Sequence, residues 1–307
     1  MNNAKCKKGI NEEKWLILYA NVGGLKSKMS GVVEVLNDHD PHLFLMTETQ
    51  LRSNTGTKIN GYTLNSKARE EGPGGGVAIL VRNDMLTNVA PHVSERNIEM
   101  VWISVRRKNE QPIFIGSYYG KQESRTSKED IEREMSLLEE EITEMQKEGE
   151  VFIAMDGNGK LGILGEAISR NGKCLQQVFK NMALTLMNTS VKCEGKITRM
   201  SPGDANQVSA IDFIVASEHV EKCIKKMIID EDGLAKIKGK KQSDHNTIIV
   251  SLAVVGIDRN KIVKKVGWNL KASNEKWAMF NDELNQRRQK ATAIITQRNI
   301  PIDERYN

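Results

Sequence analysis

The sequence predicts a mixed α/β protein in which two β-sheets pack face to face, with helices on their outer surfaces. Two observations predict this fold class. Short apolar runs typical of strands come in groups, and only two or three helical segments lie between those groups. Strict alternation of strand and helix is absent, so we do not expect a doubly wound parallel sheet.

The predicted strands are apolar runs bounded by polar or glycine-rich segments. The glycine cluster GPGGG precedes one of them, and a polar turn, RKNEQ, joins two others as a predicted hairpin. The runs lie at 15–20, 42–46, 77–81, 100–105, 112–119, 151–155, 184–188, 210–215 and 246–254.

Helices are predicted at 26–38, 127–147 and 171–183, where apolar residues recur at helical spacing. The second helix has the clearest signals. Ser127 is a good N-cap, and Asp130 follows three residues later in a variant of the capping box. Its apolar stripe consists of Ile131, Met135, Leu138, Ile142 and Met145.

Composition predicts a soluble intracellular protein rather than a membrane protein or a disulfide-rich secreted one. Of 307 residues, 39% are apolar and 28% charged, and the four cysteines form no CxxC pair. The polar start lacks the apolar core of a signal peptide. The first apolar run is too short to span a membrane.

Charge divides the chain into a neutral body and a basic tail. Residues 258–307 hold 11 Lys and Arg against 6 Asp and Glu, whereas 1–257 hold 34 against 34. Nucleic-acid binding by the body would therefore require a local basic patch. We predict a disordered segment at 1–13, a folded domain at 14–256 and a basic linker at 257–307. That linker includes an amphipathic helix near 273–290 and leads to a domain absent from this chain.

Polar side chains occur where the predicted strands begin or end, positions at which a rigid sheet often carries catalytic groups. Asp212 is unusual because it lies inside an apolar run, and an unpaired buried carboxylate is costly. The set comprises Asn21, Glu48, Asp156, Asn158, Asp212, Asp244 and His245.

Taken together, these residue types meet the needs of phosphodiester hydrolysis. Glu48 can hold a hard cation such as Mg²⁺, which prefers carboxylate oxygens. Asp156 can orient a water, and Asn158 can donate to a phosphoryl oxygen. His245 paired with Asp212 can share the developing charge. Taken singly, each has a plainer interpretation: a turn residue, a solvated carboxylate or a surface histidine.

The order of these motifs resembles the endonuclease/exonuclease/phosphatase family. The resemblance rests on N-V-G-G-L at 21–25, T-E-T at 47–49, Y-Y-G at 118–120, D-G-N at 156–158, S-A-I-D at 209–212 and S-D-H at 243–245. Within the family the chain is most similar to the apurinic-type endonuclease domains of non-LTR retrotransposons. GGGVAILV at 74–81, the block before Thr198-Arg199 and the W-N-L of the tail carry that likeness.

This resemblance implies a four-layer α/β sandwich, two mixed sheets flanked by helices, with Mg²⁺-dependent activity. It also implies roles for individual residues. Metal binding falls to Glu48, with Asn21 beside it and Asp244 as a possible addition. Catalytic roles fall to Tyr119 (Tyr118 being the alternative), Asp156, Asn158, Asp212 and His245. Supporting roles fall to Ser209 and Ser243, and a DNA contact to Arg199. Lys26 and Lys28, at the start of a predicted helix near the site, are further candidates for DNA binding, and a solvated helix face is the alternative for both.

Three departures from the family pattern stand out. Gly157 replaces an aromatic residue that packs the D-G-N loop, so we expect a looser loop. Gly23 replaces a second metal-side aspartate of repair-type apurinic endonucleases, which argues against abasic-site repair. Tyr119 is followed by Gly120-Lys121 without the usual proline, which could shift that loop.

The function expected from the sequence is therefore Mg²⁺-dependent nicking of double-stranded DNA, with Mn²⁺ a possible substitute. The resulting 3′-hydroxyl would prime target-primed reverse transcription in the nucleus, with reverse transcriptase and element RNA as partners. Alternatives are an abasic-site repair endonuclease, another phosphodiesterase or phosphatase such as one acting on phosphoinositides, and a decayed copy that binds nucleic acid without cutting it.

Overall fold

A computed structural model describes residues 12–52, 57–70, 72–201, 204, 207–239 and 243–257, together with 278, 282 and 285. The chain divides into two compact units, Met1–Lys261 and Ile262–Asn307. The helices are α1 (Met29–His39), α2 (Lys128–Glu148), α3 (Arg170–Asn181) and α4 (Glu218–Cys223). The strands are β1 (Glu12–Asn21), β2 (Leu43–Thr47), β3 (Tyr62–Lys67), β4 (Val77–Arg82), β5 (Val89–Val93), β6 (Glu99–Val105), β7 (Ile113–Tyr119), β8 (Glu150–Asp156), β9 (Thr185–Leu186), β10 (Cys193–Glu194), β11 (Arg199–Met200), β12 (Val208–Ser209), β13 (Asp212–Ala216), β14 (Ile224–Ile229) and β15 (Ile248–Val255).

These strands form two large mixed sheets and one small hairpin. The first sheet has the order β10-β14-β15-β1-β2-β4-β3, and the second has β5-β6-β7-β8-β13-β9. Pairing is parallel between β1 and β2, between β10 and β14, and between β7 and β8, and antiparallel elsewhere. The separate pair β11–β12 is antiparallel.

The two sheets pack face to face, and helices cover both outer faces. Side chains of alternating position, such as Ile17 of β1 and Ile103 of β6, share the core between the sheets. Val32 of α1 packs on the outer face of the first sheet. Leu138 of α2 and Val178 of α3 pack on the outer face of the second. The four-layer sandwich expected from the sequence is confirmed.

Several local predictions need correction. β1 begins at Glu12, inside the segment 1–13 that was expected to be a disordered tail. The run 184–188 forms only the two-residue strand β9, because the chain turns at Ala183 (φ +50°) and enters a 3₁₀ turn at Met187. Strands β3, β5 and β14 and helix α4 were not predicted at all.

Ser127 is the N-cap of α2, as predicted, and its hydroxyl accepts from the Asp130 amide at 3.1 Å. In the tail, the helix predicted near 273–290 falls mostly outside the described residues, and its described positions, Ala278, Asp282 and Asn285, are helical. No described helix is both long and apolar enough to cross a membrane.

Candidate active site

The candidate residues meet where the ends of the two sheets face each other. Parallel pairing places Asn21 opposite Thr47 in the first sheet, and Tyr119 opposite Asp156 in the second. Antiparallel pairing of β13 with β8 sets Asp212 opposite Asp156. A cavity of about 550 Å³ opens at this edge, lined by Asn21, Glu48, Asp156, Asn158, Arg199, Ser209, Asp244 and His245 among others.

Asp212 and His245 form a buried acid–imidazole pair. Asp212 Oδ2 lies 2.8 Å from His245 Nδ1, and its Oδ1 accepts from the Tyr19 hydroxyl at 3.0 Å. Burial by itself lowers the pKa of His245. The Asp212 carboxylate, followed by the more distant Asp156 and Asp244, outweighs burial and raises that pKa to about 9. The imidazole is therefore held as a cation at neutral pH.

Hydrogen bonds fix the loop that carries the histidine. The Ser243 hydroxyl donates to the Asn21 carbonyl at 2.9 Å and accepts from the His245 amide at 3.2 Å. On the other side, Thr198 Oγ1 accepts from the Asp212 amide at 3.1 Å. The supporting role predicted for Ser243 thus has a structural basis, since Ser243 connects the end of β1 to the histidine.

Asp156 lies at the floor of the cavity and is only 1% exposed. Its Oδ2 accepts from the Asn21 side-chain amide at 2.9 Å, and its Oδ1 accepts from the Asn158 backbone amide at 3.1 Å. Burial, followed by the nearby Asp212 carboxylate, raises the pKa of Asp156 to about 7. A carboxylate with that pKa can accept a proton near neutral pH.

Tyr119, and not Tyr118, points into the site. Tyr118 is fully buried on the opposite face of β7, in the core beneath α2. The Tyr119 hydroxyl donates to Glu48 Oε1 at 2.9 Å and accepts from the Gln122 amide at 3.3 Å. Arg69 covers the Tyr119 ring, with its guanidinium carbon 5.4 Å from the ring centroid. The missing proline therefore does not remove this tyrosine from the site.

Arg199 and Asp244 form an ion pair at the rim. Arg199 Nε and Nη2 both lie 2.8 Å from Asp244 Oδ2, while Asp244 Oδ1 lies 4.0 Å from His245 Nε2. Ser209 pairs with Arg199 across the β11–β12 hairpin, and its carbonyl accepts from the Thr198 amide. The guanidinium that was predicted to contact DNA thus already holds a predicted metal ligand.

The two lysines near the site differ sharply. Lys26 is exposed, which agrees both with a DNA contact and with a solvated helix face. Lys28 is only 7% exposed, and a Cβ on Gly23 would lie 2.9 Å from its Nζ. Burial lowers the pKa of Lys28, against opposing contributions from Asp244 and Glu48. The alternative of a solvated face is therefore wrong for Lys28, whose ammonium fills the space beside Gly23.

The D-G-N loop is well packed despite its glycine. A Cβ on Gly157 would lie 2.7 Å from Leu175 Cδ1 and 3.1 Å from the Phe213 ring. The Asn158 side-chain amide donates to the Gly120 carbonyl at 2.8 Å. Side chains from α3 and β13 thus fill the space that an aromatic residue would take, and the expected looseness of this loop is wrong.

Glu48 and Asp244 line the same cavity and carry the carboxylate oxygens that a hard divalent cation prefers. Asp156, Asp212 and His245 could also surround an ion, since their ligand atoms lie within 4.8 Å of one another. Both oxygens of Asp212, however, already accept from Tyr19 or contact His245. Glu48 and Asp244 are half-buried carboxylates, and Mg²⁺ favours such sites because it keeps several waters.

Sequence reasoning missed three contributors to the site. Tyr19 shares a face of β1 with Asn21, so the period of two along a strand could have revealed it. Thr198, which receives the Asp212 amide, and Arg69, which covers Tyr119, carry no comparable signal. Their roles depend on which loops meet in space.

The two-sheet sandwich brings carboxylate, imidazole and phenol groups together at one edge, an arrangement suited to phosphoester hydrolysis. The model of the Endonuclease/Exonuclease/phosphatase family matches residues 18–154, so the resemblance expected from the motifs is confirmed. That match includes Asn21, Glu48 and Tyr119 and ends before Asp156. Among proteins with curated descriptions, none matches this sequence significantly.

Solved structures show the same fold. The endonuclease domain of TRAS1, a telomere-specific non-LTR retrotransposon, is 17% identical, with a TM-score of 0.58 over 78% of this chain and 98% of that one. The 3′ phosphatase NExo from Neisseria, bound to a product DNA hairpin, is 17% identical. Its TM-score is 0.60, and the match covers 78% of this chain and 99% of that one. The AP endonuclease LMAP from Leishmania major is 11% identical. Its TM-score is 0.62, and the match covers 78% of this chain and 88% of that one.

Proposed function

We propose that this chain is a divalent-metal-dependent endonuclease that nicks double-stranded DNA. The single observation that carries the proposal is the buried Asp212–His245 pair, whose histidine lines the same cavity as Asp156 and Glu48. A cationic imidazole beside a carboxylate of raised pKa suits an in-line attack of water on a phosphodiester.

Asp156 is assigned as the group that orients the attacking water and accepts its proton. Asn21 and the Asn158 amide hold its two oxygens, so the carboxylate cannot rotate freely. Its pKa of about 7 lets it take a proton and release it again near neutral pH.

His245 is assigned to the phosphoryl oxygens. Asp212 holds Nδ1, which leaves Nε2 as the ring nitrogen available to donate to substrate. Asn158 is assigned to the same phosphate as a neutral donor, through the side-chain N–H that does not bond the Gly120 carbonyl, and Tyr119 lies beside it. Because the imidazole is fixed and charged before substrate arrives, little reorganisation accompanies the reaction.

Glu48 and Asp244, with Asn21 beside them, would hold the divalent ion. Mg²⁺, or Mn²⁺ in its place, would neutralise negative charge on the phosphate and leaving oxygen. Tyr119 donates to Glu48 and thereby sets the direction of that carboxylate. The chain thus supplies an orienting contact for the metal-side glutamate.

A role in target-primed reverse transcription is part of the proposal. The ordered motifs and the basic tail support it, as does the shared fold with a retrotransposon endonuclease domain. Cleavage would leave a 3′-hydroxyl on nuclear DNA for a reverse transcriptase acting on element RNA. The boundary at 256/257 between the folded domain and the basic linker remains part of this proposal. Gly23 and the Lys28 ammonium beside it disfavour a second metal-side carboxylate of the repair type.

A supercoiled-plasmid assay tests the activity. We expect open circles from the wild type with Mg²⁺, none with EDTA, and a loss of at least about 100-fold in Asp156→Asn. Asp38→Asn, an exposed change on α1, is the matched control and should nick normally. Polymerase extension of the nick without phosphatase treatment would establish the 3′-hydroxyl.

The same assay separates the alternatives. Faster turnover of abasic duplex, of 3′-phosphate ends or of inositol phosphates than of plain duplex would move the assignment to another substrate. DNA binding by a folded protein without turnover of any of these would establish a decayed binding domain.

A further inference from the structure

Arg199 holds one oxygen of Asp244 with two donors. Nε and Nη2 both lie 2.8 Å from Oδ2, and the two side chains are 38% and 30% exposed. Oδ1, the other oxygen, is the one that lies 4.0 Å from His245 Nε2. The ion pair therefore sets the rotation of the Asp244 carboxylate, with Oδ2 toward the hairpin and Oδ1 toward the imidazole.

Backbone hydrogen bonds fasten the same two segments together. The Met200 amide donates to the Asp244 carbonyl at 2.8 Å, and the Asn246 amide donates to the Thr198 carbonyl at 2.7 Å. Arg199 and His245 form an isolated antiparallel bridge between these bonds. The start of the β11–β12 hairpin thus runs as an extra strand beside Asp244, His245 and Asn246, which holds the backbone of Arg199 next to that of Asp244.

We propose that Arg199 is a positioning residue for Asp244 rather than a DNA phosphate contact. This inference rests on the proposed function in one respect, namely that Asp244 helps to hold the divalent ion. Partners that orient a ligating carboxylate typically contribute 10- to 100-fold to metal affinity. An arginine that neutralises a backbone phosphate instead contributes to DNA affinity and to its salt dependence.

The two roles predict different results in a double-mutant cycle. Arg199→Gln, Asp244→Asn and the double variant are compared with the wild type, and Arg199→Lys retains the charge without the fork. Arg106→Gln is the control for the loss of one positive charge. Arg106 is exposed and follows the last residue of β6, whereas the first residue of that strand, Glu99, pairs with Tyr119 at the site. Circular dichroism melting checks that each variant is folded.

Two readouts require no DNA cleavage. Mn²⁺ affinity is measured by electron paramagnetic resonance without DNA, and duplex affinity is measured in EDTA across a salt series. We expect Arg199→Gln to weaken Mn²⁺ binding by about 10- to 100-fold, and Arg199→Lys to weaken it less. In the Asp244→Asn background the same change should have no further effect. Duplex affinity in EDTA should change less than about twofold, with an unchanged salt slope.

Three results would overturn the inference. Unchanged Mn²⁺ affinity in Arg199→Gln would show that Asp244 does not depend on Arg199. Tighter Mn²⁺ binding would show that Arg199 competes with the ion. A salt slope reduced by about one in both backgrounds would make Arg199 a phosphate contact. A failure of the proposed endonuclease activity would be distinguishable from these results. In that case the wild type would not nick DNA, although it binds Mn²⁺ and the double-mutant cycle in Mn²⁺ affinity gives the expected coupling.

Discussion

Asp212→Asn removes the charge that keeps His245 cationic, while leaving the shape of the side chain. The imidazole pKa is about 9 with Asp212 in place, against an ordinary value of about 6.5. A fall of about 2.5 units corresponds to about 3 kcal/mol. At pH 8 the cationic fraction would drop from about nine-tenths to about one-thirtieth, so we expect nicking to fall at least about 30-fold.

The pH profile gives the sharper readout. Burial is the larger cause of the raised pKa of Asp156, and the Asp212 charge raises it further. Neutralising Asp212 therefore lowers the pKa values of both Asp156 and His245. The wild type should be most active between about pH 7 and 9, where Asp156 is ionised and His245 is protonated. In Asp212→Asn that window should move to lower pH as the maximal rate falls.

Nicking rates from pH 5.5 to 9.5 and histidine NMR titration test this reasoning together. The chain has five histidines, so a His245→Asn spectrum identifies the signal. Tyr19→Phe is the matched control, because it removes the other bond to Asp212 and keeps the charge. Its His245 pKa should stay above 8. A His245 pKa that is unchanged in Asp212→Asn, or a lower rate with an unshifted pH profile, would refute the reasoning.

Three further predictions concern stability and metal dependence. Burial raises the pKa of Glu134 to about 7, so its stabilising contribution is present below about pH 4.5 and is lost as pH rises through 7. Glu134→Gln should therefore add about 2–3 kcal/mol to the free energy of unfolding at pH 8 and little at pH 4.5. Thermal melts in which the variant gains the same stability at both pH values would contradict this prediction. Gly157→Ala should lower the free energy of unfolding in urea by about 1–3 kcal/mol, because the new Cβ meets Leu175 Cδ1. In a Leu175→Ala background the same change should cost less, and equal costs in the two backgrounds would argue against the clash. Glu48→Gln should raise the Mg²⁺ concentration for half-maximal nicking by at least about tenfold, and an unchanged Mg²⁺ titration would exclude Glu48 as a ligand.

Much of the fold follows from local sequence signals. The central strands β1, β2, β4, β7 and β8 are apolar runs, and α2 has both a capping serine and an apolar stripe. The edge strands escaped prediction for physical reasons. β3 (YTLNSK) is largely polar because one side lacks a partner, and β5 contains Pro91, which a central strand excludes.

The sequence by itself determined which residues lie at the strand ends, because polar groups interrupt apolar runs there. Asn21, Glu48 and Asp156 were recognisable in that way, whereas Asp212 was predicted inside a strand and instead begins β13. Only the tertiary structure decided what those residues contact. The bonds from Tyr19 to Asp212 and from Asn21 to Asp156 cross from one sheet to the other.

Arg199 shows the same limit at the rim of the site. Its position beside a catalytic motif suggests DNA binding, whereas the folded hairpin directs its guanidinium to Asp244, 45 residues further along the chain. Contacts between segments so far apart depend on sheet packing and loop paths, which local patterns do not encode. Sequence patterns thus located the edge of the sheets where the candidate residues meet, and packing between the sheets determined which side chains pair there.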